Sequence, residues 1–452
     1  MTPAAAVWAQ NPGGLAETYH DAAARLIGAA MLDEGGWRKL QYWCDQIGPR
    51  LSGSPSLQRA IEWSAAEMRR EGLANVSTPP VLVPHWVRGN ESAALLEPLQ
   101  APIAMLGLGG SIATPPEGIT AETLCVQSFD ELEQLGAAKV RGKIVVYNAA
   151  WQGYLRTVAY RSQGASRAAR LGAVAALVRS VTPLSLRSPH TGMMTYSPDA
   201  PRIPAAAISV EDALRFQRLQ DAGVRAVARL TMEARTLPDA PSANVVAEIP
   251  GREKPEEIVV MGGHSDSWDV GQGAQDDASG CIACWQALQL VHHLDLRPRR
   301  TLRLCLWVNE ENGLRGGRAY REWAAGAVPN HVAAIEMDSG AERPIGFGLS
   351  IHGSTEEQMA RAMARLNQIG LLLSGIGAGA MTRGGGGADI DPIMRDGVPG
   401  ISHRTAGQRY FQWHHSHADT LDQIDPQEFR LSIAALAVLG YVLADMPGRL
   451  AS

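Results

Sequence analysis

The chain has 452 residues, of which 45% are hydrophobic and 19% charged, enough for two packed domains or one domain carrying a large insertion. That composition excludes a disordered or fibrous protein. A formal charge of −5 offers no net field to nucleic acid or to an anionic membrane surface, so neither is expected as a partner.

The apolar stretch 3–9 ends in small residues like the tail of a signal peptide, yet no basic segment precedes it, and the compartment is left open. Apolar residues at three-to-four spacing predict helices over 21–31, 37–47 and 56–71, broken by Gly35-Gly36 and Gly48-Pro49. From about 95 to 240 the texture changes to short β-like runs, such as 142–147 and 173–179, between turns rich in Pro, Ser and Gly. No cluster of His, Asp and Glu occurs there. After Ser242 strands and helices alternate: strands at 258–262, 301–308 and 331–337, helices at 277–294, 313–325, 356–369 and 426–445. This is an α/β pattern with a largely parallel sheet, interrupted by the middle segment. The expected division is 1–94 with 241–452 as one discontinuous domain and 95–240 as an insertion. No run reaches the roughly 18 apolar residues of a spanning helix, so the apolar run 431–444 is expected to face the core. Five cysteines make no disulfide framework, and Cys281 and Cys284, in an apolar helix, are expected as buried thiols.

Acids and histidines gather at strand ends in the second half. His264 and Asp266 follow one strand, Asp276 and Asp277 open the next helix, Glu310 and Glu311 end a second strand, and Asp338 a third. His414, His415, His417 and Asp419 come last. Each group alone has a plain structural reading: a helix cap, a solvated pair, a turn, surface histidines. Five such groups at successive strand ends would concentrate charge without a counter-ion. A divalent metal compensates them, and mixed His and carboxylate donors without thiolates suit catalytic zinc. The carboxyl ends of the strands are also where open α/β sheets bind ligands. Neither a G-x-S-x-G elbow nor an H-E-x-x-H helix is present, and no cysteine stands beside these acids, so nothing supports a covalent mechanism.

In order and spacing these groups resemble the co-catalytic dizinc peptidases of the M28 family of aminopeptidases. Segments 262–273, 398–402 and 410–420 resemble its carboxypeptidase Q (plasma glutamate carboxypeptidase) branch in particular. The resemblance spans nearly the whole chain, and residues 95–240, through 140–146 and 203–208, are similar to a protease-associated (PA) domain. It implies the zinc-dependent exopeptidase fold, a mostly parallel sheet flanked by helices, with a PA-like insertion. It further implies two Zn2+ per chain, with His264 and Asp338 on one, Glu311 and His415 on the other, and Asp276 bridging. The peptide bond after Asp276 is often cis in the family. Asp266 would orient His264 through its other ring nitrogen, and Glu310 would be the general base acting on a metal-bridging water. The family places the last ligand four residues before an acid followed by Thr. Asp419-Thr420 thus selects His415, with His414 and His417 as neighbours, and His414 stands where some relatives carry a Tyr donating to the oxyanion. The implied substrates are dipeptides or short peptides with a free N-terminus, and the implied setting is secreted or periplasmic. A single-zinc glutaminyl cyclase-like enzyme and a non-catalytic receptor-like relative are the alternatives, and the full ligand set argues against both. The PA-like insert is expected to cover the cleft, with a spacer or oligomer contact as the alternative; the four glycines 384–387 are expected to form a lid, with a plain loop as the alternative; and a homodimer is left open.

Overall fold

The structure, a computed structural model, describes residues 14–451, so the stretch 3–9 lies outside the described residues. Its centre is an eight-stranded sheet in the order Ala74–Ser77, Val245–Ile249, Arg300–Trp307, Lys254–His264, His331–Glu336, Gly400–Thr405, Pro344–Ser350, Ala380–Arg383. Arg300–Trp307, Lys254–His264, His331–Glu336 and Gly400–Thr405 run parallel. Burial on both faces explains why these strands read as continuous apolar runs, without alternation.

Helices Leu15–Met31, Ser279–His293 and Pro426–Asp445 pack together on this sheet. The last is, among the described residues, the one helix long and apolar enough to cross a membrane by length and composition. It has the bounds expected from sequence: Pro426 fits the first turn and Asp425 caps it, accepting from the Gln427 amide at 2.7 Å and the Glu428 amide at 3.0 Å. Every residue from Ser432 to Asp445 is buried against the neighbouring helices and sheet, as a core helix would be. Cys281 and Cys284 are buried free thiols on its neighbour. That neighbouring helix starts at Ser279, two residues later than its Asp-rich lead predicts. Asp276 and Asp277 take extended φ values of −126° and −136°, joined by a cis peptide bond.

A second eight-stranded sheet runs from Ala101–Ile103 and Glu91–Glu97 through Val227–Met232, Ile119–Val126, Ile144–Tyr147, Ala175–Arg179 and Ala205–Ile208 to Met105–Gly107. It has apolar cores of its own, and helix Tyr154–Arg170 packs on it. A two-stranded ribbon, Pro80–Val87 against Arg235–Ala243, connects it to the central sheet.

Candidate active site

His264 ends its strand in register with Trp307, and Gly262 lies opposite Glu336. The loops that follow three adjacent parallel strands therefore open along one sheet edge. Gly263 lets the Asp277 turn fold back against the end of its own strand, since a Cβ there would lie 2.1 Å from Asp277 Oδ2. That oxygen accepts the His264 amide at 3.1 Å, and Asp277 Oδ1 accepts the Gly280 amide at 3.1 Å. The capping reading thus holds for Asp277 alone. Asn309 turns the next loop at φ 68°, a left-handed conformation that asparagine tolerates, and presents Glu310 and Glu311.

Asp276 is the meeting point. Its Oδ1 is 3.1 Å from His264 Nε2, and its Oδ2 is 3.1 Å from His415 Nε2. Asp338 Oδ1 approaches the same nitrogen of His264 at 3.6 Å, and Glu311 Oε2 approaches His415 Nε2 at 2.9 Å. The His414 ring stacks on His415 at 3.5 Å, with its Nε2 3.5 Å from Asp276 Oδ2, so His414 also lies within ligating reach. His417 is exposed and outside both groups.

These donors fit a metal. Asp276 Oδ2, despite its closeness to His415, makes no hydrogen bond, and neither does the buried Glu311 Oε1. Burial raises the carboxyls of Glu311 and Asp338 above their usual range and that of Glu310 well above it, with neighbouring acids adding to the effect. Burial opposes protonation of His415, but Glu311 and Asp276 push it up to about 9. His264 and His415, in turn, hold Asp276 well below the carboxylate range in spite of burial. Such a site gathers protons unless cations replace them.

Asp266, fully buried, takes a different position from the one the resemblance implies. The Nδ1 of His264 bonds the Asp266 main-chain oxygen at 3.0 Å, with the carboxylate Oδ1 at 3.7 Å. The carboxylate instead accepts the amides of Glu310 at 3.0 Å and Glu311 at 3.4 Å, and the Ser52 hydroxyl at 3.2 Å. Asp419, which burial raises to about 7, grips the Asp276 turn through the Gln275 amide at 2.7 Å and the Asp276 amide at 3.2 Å. Arg50, fully buried, bonds the carbonyls of Ser265 at 2.9 Å, Gln272 at 2.8 Å and Gly273 at 3.0 Å.

A cleft of about 510 Å³ opens over Asp276, Glu310, Glu311 and Asp338. Its far wall is Tyr154, Arg161, Met193 and Thr195, all from the segment expected to cover it. Arg161 is the one Lys or Arg among the described residues that line it. The glycines 384–387 are elsewhere. The Gly384 amide bonds Leu349 O at 2.9 Å, the Gly385 amide bonds Ser350 Oγ at 3.0 Å, and Gly387 abuts Glu336, so this segment packs on the sheet and does not line the cleft. Sequence reasoning missed Arg50, Arg161, Thr191 and the grip of Asp419. A buried Arg has no local signature, and Thr191 meets the His415 ring only through its main-chain oxygen, 3.3 Å from Nδ1.

Comparison with known proteins identifies the family. Residues 244–439 match the profile described as Peptidase family M28, and residues 109–216 match the PA domain. The chain is 45% identical to carboxypeptidase Q of Homo sapiens over 94% of this chain and 89% of that protein. It is likewise 45% identical to carboxypeptidase Q of Mus musculus, over 95% of this chain and 90% of the other. A crystal structure described as a Peptidase M28 precursor from Shewanella amazonensis SB2B superposes with a TM-score of 0.91 at 32% identity, covering 96% of this chain and 98% of that one. A zinc aminopeptidase from Bacillus subtilis shares the fold, with a TM-score of 0.67 at 17% identity over 92% of this chain and 96% of its own. Identity at this level over nearly the full length of both proteins, with the donors converging on one sheet edge beneath a PA domain, places the chain in peptidase family M28, as a metallopeptidase similar to carboxypeptidase Q.

Proposed function

We propose that this chain is a co-catalytic dizinc exopeptidase that hydrolyses dipeptides or short peptides with a free N-terminus. The observation that carries this reading is the division of Asp276, whose two oxygens each face a different histidine at 3.1 Å, giving two donor groups that share one carboxylate. In this reading His264 and Asp338 complete one site, Glu311 and His415 the other. Residues 1–94 and 241–452 carry the chemistry, and residues 95–240 cover it. The relatives' names, carboxypeptidase Q and zinc aminopeptidase, support both the metal and the exopeptidase character.

Two bound zinc ions would supply Lewis-acid polarisation of the scissile carbonyl and a water of lowered pKa. Glu310 overlooks the donors from the cleft side, takes a proton from the attacking water and passes it to the leaving nitrogen. Its raised affinity for protons, set by burial and then by the neighbouring acids, suits a group that must hold that proton between the two steps. Asp266 fixes the Glu310 amide and so the height of the base above the site. The acid-rich floor favours a substrate's free ammonium, while the insert limits the length that fits.

Glu310→Gln tests the reading. It should keep its zinc and lose about 10²–10⁴-fold in kcat, because only the proton shuttle goes. Near-wild-type turnover would remove Glu310 as the base. A matched substrate series tests the exopeptidase class. N-acetylation of a good dipeptide should cost on the order of a hundredfold in kcat/KM, and equal cleavage of the acetylated form would point to an endopeptidase or deacylase.

A further inference from the structure

The two histidines of the donor set are supported differently. The His264 ring is held by its own loop, through the carbonyl of Asp266 two residues on, at 3.0 Å. With its Nε2 turned to Glu311 and Asp276, His415 presents Nδ1 to the PA domain. Two groups meet that nitrogen: Thr191 O at 3.3 Å and Arg161 Nη1 at 3.3 Å. With Nε2 given to the metal, Nδ1 carries the ring's proton, and because a guanidinium cannot accept a hydrogen bond that proton goes to the Thr191 carbonyl. Arg161 Nη1 donates to the same carbonyl at 3.2 Å.

The main chains reinforce this contact. The Thr191 amide donates to the His415 carbonyl at 2.9 Å, so the two residues exchange a pair of hydrogen bonds across 224 positions of sequence. One residue earlier, His190 Nδ1 donates to the His414 carbonyl at 2.6 Å. The Thr191 hydroxyl is tied down in turn, donating to Gly107 O at 2.7 Å. Arg161 is itself wedged, only 6% exposed, with Nη2 donating to the Tyr154 hydroxyl at 2.9 Å. Gly192, at φ 136°, leaves the guanidinium its place, since a Cβ there would come within 2.3 Å of Nη1.

We infer that Arg161, acting through the Thr191 carbonyl, is a positioning residue for His415, so that the PA domain builds the outer shell of one metal site and not of the other. This rests on the reading of His415 as a ligand. A histidine that binds metal through one nitrogen needs its other N–H anchored, and loss of that anchor weakens metal binding about 10–100-fold. For His264 the anchor is local and survives any movement of the PA domain. For His415 it is delivered by a different domain, which makes seating of the insert and metal affinity at that site one linked equilibrium.

The experiment is a chelator competition on the full-length zinc-loaded protein, with Co2+ absorption as a second readout. The variants are Arg161→Met, Arg161→Lys and His415→Ala. Arg161→Met should weaken one zinc about 10–100-fold, leave the other within threefold, and shift the Co2+ spectrum of the affected site. Arg161→Lys, which keeps a cation but not the fork that meets Thr191 and Tyr154, should fall between Met and wild type, and it serves if the Met variant does not fold. His415→Ala sets the limit, losing that zinc outright, and its retention of both ions would remove the ligand reading and the inference with it. If both zinc affinities stay within threefold in the Arg161 variants, the inference is overturned. A rise in KM for a free dipeptide but not for its C-terminal amide would then assign Arg161 to the substrate carboxylate instead.

Discussion

Asp266→Asn isolates what a fully buried carboxylate does beside the candidate metal site. Asp266 has two oxygens and three donors: the amides of Glu310 and Glu311 at 3.0 and 3.4 Å, and the Ser52 hydroxyl at 3.2 Å. Asparagine keeps one acceptor and turns an NH2 toward whichever amide remains. The retained bond passes from charge-assisted to neutral, which costs about 1 kcal/mol. The abandoned buried amide loses its acceptor, at about 1–3 kcal/mol. The sum is about 2–4 kcal/mol of stability, read by denaturant unfolding of the metal-free protein with the slope unchanged.

The same loss moves the residues that matter most, because the two amides belong to the proposed base and to a proposed ligand. A displacement of about 1 Å costs on the order of a hundredfold in rate, so kcat/KM should fall by at least tenfold. The His264 ring keeps its partner, which is the main-chain oxygen, so the zinc it helps to bind should be retained. Full stability with loss of that zinc would refute the reasoning and return Asp266 to the role of a carboxylate partner for His264. Unfolding midpoints and metal counts on one preparation decide between the two.

His415→Ala should lose one zinc and His417→Ala none, counted by elemental analysis, because of these two only His415 faces Asp276 and Glu311; the reverse pattern would shift the ligand register by two residues. Buried His190, His331 and His403, which burial lowers to about 4, make stability rise with pH up to about 6.5, and the metal-free protein should then lose stability as pH rises from about 7 to about 9. Glu336, raised by burial to about 8, Asp419, raised by burial to about 7, and His415, which Glu311 and Asp276 lift to about 9 against burial, all bind in the folded state protons that the unfolded chain releases earlier. A flat melting temperature over that range would contradict those environments. Arg50→Lys, which cannot reach the carbonyls of Gly48, Ser265, Gln272 and Gly273 with one ammonium, should cost about 2–4 kcal/mol in denaturant unfolding and loosen zinc through the Asp276 turn.

The strand-end acids were legible in the sequence because a parallel sheet leaves few places for clustered charge. His264, Glu310 and Glu311 each follow an apolar run too continuous to be a surface strand. The helix 426–445 was legible with both its ends, whereas the one expected over 21–31 starts six residues earlier, at Leu15, with no side-chain cap to mark it. The role of Asp266 was only half legible: a carboxylate two residues after a histidine reads as its partner, yet the backbone turns the carbonyl inward and sends the side chain to the next loop. The insert's contribution was not legible. It comes from a stretch with no cluster of acids and histidines, and Thr191 acts through its peptide group, which every residue has. The lid expected of 384–387 misread glycines whose missing side chains let the backbone pack closely, as at Gly387 against Glu336.

The charge of the cleft ties these observations together. Asp276, Glu310, Glu311 and Asp338 face it, and Arg161 is the one Lys or Arg among the described residues lining it. That single guanidinium is already engaged with Thr191 and Tyr154. Without metal the carboxyls therefore meet one another's charge in a buried setting, and the available relief is uptake of protons, which is the direction in which Glu310, Glu311 and Asp338 shift. A site so arranged is stabilised by a divalent cation more than any isolated acid pair could be, since each ion displaces protons from several groups at once. The strained histidine, His415 at φ 61°, is held in place across the domain boundary by Thr191 and Arg161. Metal affinity, proton uptake and docking of the insert are consequently coupled at one residue, and removing the metal should loosen the cover as well as the floor.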